Sequence, residues 1–102
     1  MQQENNSPNL FLNNCLDVIP SFNSLDSIVT DPPYGIKLLS KKWDYSLPDP
    51  EIWKQCLECL KPGAFLVSFA SPRTYHRLAV NIEDVGFHIV DQIMWLHSQG
   101  MP

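Results

Sequence analysis

The apolar positions of this chain fall into short blocks separated by proline, glycine and asparagine, and the spacing differs from block to block. Leu10-Phe11-Leu12 predicts a short strand, and Cys15 to Ile19 predicts a brief helical turn ahead of Pro20. Ile28 and Val29 are β-branched and bounded by turn formers, which predicts a buried strand. That strand must stop at Pro32-Pro33, because neither proline donates a backbone N–H. Ile52, Trp53, Cys56, Leu57 and Leu60 recur at helical spacing. Asp49 suits the cap of this helix, Pro50 its first position and Pro62-Gly63 its end. Ala64 to Ala70 is apolar on both faces, as buried parallel strands are. Ser71 as cap and Pro72 as first residue predict the next helix, with Tyr75, Leu78, Ala79, Ile82 and Val85 inward and Gly86 as its stop. Phe87 to Leu96 predicts a third long strand. Such alternation implies an α/β fold with a mostly parallel sheet, flanking helices and right-handed crossovers.

Composition narrows this picture. With 102 residues and 44% hydrophobic content the chain can build one small core, so we expect a single domain over 9–102 behind a polar, disordered segment at 1–8. No apolar run approaches the ~20 residues of a membrane span, and the first residues lack the pattern of a secretory signal. A cytoplasmic protein is the expectation. The net charge of −4 argues against this chain gripping DNA unaided, since phosphate-tracking surfaces need clustered cations. Two small cationic groups stand out: Lys37, Lys41 and Lys42, then Arg73 with Arg77. Phosphate contact and a solvated loop remain equal readings of the lysines. Cys56 and Cys59 have redox or zinc spacing inside a helix but lack a second ligand pair, so they read as small hydrophobes with no metal and no disulfide. His76, His88 and His97 share no spacing of a ligand set.

The chemistry concentrates where the first long strand breaks. Asp31-Pro32-Pro33-Tyr34 presents a carboxylate, a rigid diproline and an aromatic ring. In open α/β sheets ligands bind in the crevice outside the carboxyl ends of the strands. Taken alone, Asp31 also reads as a capping carboxylate and Tyr34 as a half-buried loop aromatic.

Asp31-Pro32-Pro33-Tyr34 resembles the signature of the amino-group DNA methyltransferases, which methylate adenine N6 or cytosine N4 from S-adenosylmethionine. Ile28-Val29-Thr30 before it, Gly35-Ile36 after it, Leu60 to Phe65, Ala70 to Leu78 and Asp91 to Trp95 resemble the same family, so the similarity runs from about Leu12 to Pro102. The segment Ala70 to Leu78 is similar to adenine-specific members from bacteria and their phages. The resemblance implies a partial Rossmann-like methyltransferase sheet, DNA as partner and S-adenosylmethionine as methyl donor. It assigns Asp31, Pro32, Pro33 and Tyr34 to catalysis. Asn14, where family members carry Asp, and secondarily Asp31 are assigned to the cofactor; Lys37, Lys41, Lys42 and Arg73 are assigned to DNA. His97 to Pro102 is similar to a segment near the target base, with Trp95 or Met101 as pocket lining.

The residue types suit this chemistry. An exocyclic amine is a poor nucleophile because its lone pair is delocalised into the ring. The Asp31 carboxylate and the Pro32 carbonyl can each accept one N–H, which favours the developing positive nitrogen. Tyr34 offers a face on which an extruded base gains about 1–3 kcal/mol by stacking. The methyl carbon then needs only in-line placement.

One family feature is missing. In the permuted class resembled here the cofactor half follows the base-binding half and carries a Phe-x-Gly-x-Gly turn, whereas Gly35, Gly63, Gly86 and Gly100 are widely spaced. The expectation is therefore a site-specific adenine-N6 methyltransferase fragment, inactive unless a second polypeptide supplies the rest, with an exposed strand edge that invites self-association. Asp at the first motif position favours adenine over cytosine N4. A non-catalytic remnant or interaction module is the alternative, and methylation of RNA or of a protein amide a lesser one.

Overall fold

The computed structural model describes residues 7–37 and 46–99. Its elements run α1 (Cys15–Val18), a single 3-10 turn (Ile19–Ser21), β1 (Leu25–Thr30), α2 (Pro50–Cys59), β2 (Leu60–Ser68) and α3 (Tyr75–Asp84). The two strands form a parallel sheet joined through α2. This is a mixed α/β arrangement, as the alternation of patterns predicts.

Each element has a local cause. Asn14 caps α1, its side-chain Oδ1 accepting the Leu16 N–H at 3.0 Å. Asp49 does the same for α2, accepting the Glu51 N–H at 2.9 Å, with Pro50 in the first turn where its missing N–H costs nothing. The inward stripe of α2 meets that of α3. Trp53, Cys56, Leu78 and Ile82 form one buried cluster, with Ile19, Ile28, Leu47, Ile52, Leu66, Val85 and Phe87 packed partly against it. Trp53 is its centre at 1% exposure. Its indole Nε1–H is buried without a hydrogen-bond partner, which costs about 1–3 kcal/mol. At the far end of α3, Gly86 adopts φ +124, and a Cβ there would meet Leu57 Cδ2 at 3.0 Å, so glycine lets the helix end close against α2.

Three expectations about element ends need correction. First, α2 closes at Cys59, because Leu60 is already extended at φ −84, ψ 144. Pro62 and Gly63 therefore lie inside β2 and do not end the helix. They are accommodated by an irregularity: Leu25 pairs with Leu60 and Ser27 with Phe65, two steps on β1 against five on β2. A bulge tolerates a proline because the ladder needs no donor there. Lys61 Nζ bridges across it to Asp26 Oδ1 at 2.5 Å. Second, α3 begins at Tyr75 after a turn over 72–74, so Ser71 and Pro72 precede the helix. The Ser71 carbonyl accepts the N–H groups of Thr74 at 3.1 Å and Tyr75 at 2.8 Å, which makes that turn. Third, neither Leu10-Phe11-Leu12 nor Phe87 to Leu96 forms a strand. A strand exists only through a hydrogen-bonded neighbour, and these segments find none in the sheet.

The sheet is consequently open. Ile28 and Leu66 turn toward the helices, whereas Val29 is 69% exposed and Phe65 63%, so neither strand is buried on both faces. Ile93, Met94, Trp95 and Leu96 are also exposed. Among the described residues no helix is long and apolar enough to cross a membrane. The segment expected to be disordered at 1–8 lies mostly outside the described residues.

Candidate functional site

β1 delivers the motif. Its ladder to β2 runs through Thr30, whose carbonyl accepts the Phe69 N–H at 3.0 Å, and the chain leaves the sheet at Asp31. The Asp31 side chain is exposed, while Pro32, Pro33 and Tyr34 are half-buried. The Tyr34 hydroxyl donates to Asp31 Oδ1, closing a small ring over the two prolines. A carboxylate has about four lone-pair positions, so this bond leaves Asp31 with acceptor capacity to spare. The rigid φ of the prolines holds the two ends of the motif in register for that contact.

The turn is locked from behind. Thr74 Oγ1 donates to the Tyr34 carbonyl at 2.6 Å, joining positions forty residues apart. Gly35 follows at φ +72, and a Cβ there would lie 3.2 Å from the Leu47 N and 3.3 Å from the Ser46 carbonyl carbon. Two stretches of backbone thus touch where the motif ends, and glycine is the residue that allows it. Thr74 is the positioning residue that sequence reasoning missed. It lies within the segment Ala70 to Leu78 that carries part of the family resemblance, but that segment does not say which hydroxyl faces the motif.

The other expected residues divide. Arg73 is exposed on the turn beside Thr74, and so shares the motif's neighbourhood. Lys37 is exposed two residues beyond Gly35 at φ +57. Lys41, Lys42 and Met101 lie outside the described residues. Asn14 spends its side-chain oxygen on the α1 cap, so that atom serves its own helix. Trp95 packs edge-on against Phe69, with ring centroids 5.7 Å apart. His76, His88 and His97 are exposed and scattered.

The cysteines behave as helix-face hydrophobes. Cys56 and Cys59 are buried, and the Cys59 thiol donates to the Cys56 carbonyl at 3.3 Å. Burial pushes the Cys56 thiol up from 9.0 to about 11, with the neighbouring Cys59 and Cys15 thiols adding to the shift. Burial likewise raises Cys59. Cys15, on α1, is exposed.

Comparison of the chain with protein-family models, with curated proteins and with solved structures finds no match in any of the three.

Proposed function

We propose that this chain is the base-holding part of a DNA adenine-N6 methyltransferase of bacterial or phage origin, acting in the cytoplasm. The observation that carries this reading is the exposed Asp31 carboxylate at the carboxyl end of a parallel strand, tied to the Tyr34 hydroxyl, with the Tyr34 backbone anchored by Thr74. The motif resemblance supplies the substrate class. A base turned out of its helix would stack on the Tyr34 ring. Its amine would donate one N–H to the free Asp31 oxygen and a second to the Pro32 carbonyl. Both acceptors gain strength as the nitrogen becomes positive, which is the requirement for lowering the barrier.

The described residues do not fit S-adenosylmethionine. Asn14 Oδ1 is engaged in its cap, and Gly35, Gly63 and Gly86 lie apart, after the motif, in the β2 bulge and behind α3 respectively. No step of the chemistry is assigned to this chain's own cofactor contacts. The cofactor and target-recognition portions are assigned to protein outside these residues, either a C-terminal half or a partner. The exposed apolar side chains of Val29, Val67, Ile93 and Trp95 favour such a partner over a free-standing enzyme.

The test is transfer of a tritiated methyl group to unmethylated DNA, with the chain alone and with a second polypeptide that carries a Phe-x-Gly-x-Gly turn. Transfer is expected only with the partner present, and only to adenine. Asp31→Ala should abolish it. Transfer that survives Asp31→Ala, or none under either condition, sinks the reading.

A further inference from the structure

A hollow of about 490 Å³ opens on the outer face of α3, lined by Leu47, His76, Arg77, Val80 and Asn81. His76 and Val80, like Arg77 and Asn81, are four residues apart, so the four side chains make two adjoining rows on one helix face. The Tyr75 ring meets His76 edge-on, with ring centroids 5.8 Å apart. Among the described residues no carboxylate lines the hollow, although the chain as a whole carries a net charge of −4. Its walls are therefore a guanidinium, an imidazole and an amide over an aliphatic floor of Leu47 and Val80.

The hollow borders the motif from two directions. Leu47 is the residue whose backbone touches Gly35, one position past Tyr34. Thr74, which holds the Tyr34 carbonyl, begins the helix that supplies the remaining wall. We infer that this hollow is a nucleotide subsite: it takes the sugar and phosphate of the residue flanking the base held at Asp31 and Tyr34. The guanidinium of Arg77 pairs with the phosphodiester, Asn81 donates from the next turn, and the sugar rests on Leu47 and Val80. Arginine is the side chain whose planar fork matches phosphate oxygens. The volume lies within the ~300–1,000 Å³ typical of small-ligand pockets. The inference rests on the base-holding reading for its direction along the strand, but the phosphate contact is measurable without any methyl transfer.

The experiment is fluorescence anisotropy of the full chain with a labelled single-stranded oligonucleotide, titrated at several salt concentrations. One lost phosphate contact on a single strand removes about 0.7 from the slope of log affinity against log salt, or about 2.6-fold over a fourfold change in salt. Arg77→Ala is expected to show that loss, and Arg77→Lys to keep the slope while binding more weakly. A 2-aminopurine reporter at the target position separates the two readings, because Tyr34→Ala should abolish its response while the Arg77 effect on slope persists. If the reporter never responds but the Arg77 effect remains, the subsite stands and the base-holding reading falls. A wild-type slope in Arg77→Ala, no binding of the oligonucleotide at low salt, or an equal Arg77 effect on inorganic polyphosphate overturns the subsite.

Discussion

Thr74→Val is the most discriminating single change for the architecture of the motif. Valine matches threonine in shape and removes one group, the hydroxyl that donates to the Tyr34 carbonyl at 2.6 Å. That bond spans forty residues and is partly buried, so its loss is not replaced freely by water. A net hydrogen bond of this kind contributes about 0.5–1.5 kcal/mol, and the deserted carbonyl adds part of its own desolvation cost. For a domain of this size each kcal/mol lowers the melting temperature by about 4–8 °C. Thermal unfolding followed by circular dichroism should therefore show a drop of roughly that size for Thr74→Val. Thr74→Ser, which keeps the hydroxyl, should melt close to wild type. Thr74→Val should also loosen the Tyr34 ring and blunt the response of a 2-aminopurine base in DNA. If Thr74→Val melts and binds like wild type, the anchoring role is refuted.

Asp49→Ala removes the cap that accepts the Glu51 N–H, and urea unfolding should register a loss of about 0.5–2 kcal/mol. Thiol labelling of the folded chain near neutral pH should modify Cys15 alone, since Cys56 and Cys59 are buried and their pKa values are raised; rapid modification of all three would contradict the packing of α2. The raised Cys56 value also sets a pH dependence. Between about pH 9 and pH 11 the folded state holds a proton that the unfolded state releases, so stability is fully retained below pH 9 and falls as pH rises through the window. Chemical denaturation across that range should show a decline on the order of 2 kcal/mol, reduced in Cys56→Ala to the part that Cys59 contributes.

Open strand edges explain where local pattern and outcome part. Phe87 to Leu96 has as strong a strand pattern as Ala64 to Ala70, yet only the latter pairs, because β1 lies beside it at the right register. Pairing is non-local, and no count of β-branched residues reports whether a neighbour is present. The same holds for Pro62 and Gly63, which look like a helix stop and serve as part of a bulge opposite Leu25 to Ser27.

Short-range features were legible in the residues themselves. Asp49 and Pro50 start α2, the spacing of Trp53, Cys56 and Leu57 orients its buried face, and Pro32-Pro33 ends β1 with Asp31 at its tip. Each follows from steric and hydrogen-bonding preferences within about one turn of chain. Tertiary structure alone decided that the Tyr34 hydroxyl turns back onto Asp31, that Thr74 holds the motif from behind, and that Arg77 and Asn81 face a hollow beside Gly35. These contacts depend on where α3 comes to rest against the end of β1, a placement set by the packing of Leu78 and Ile82 around Trp53.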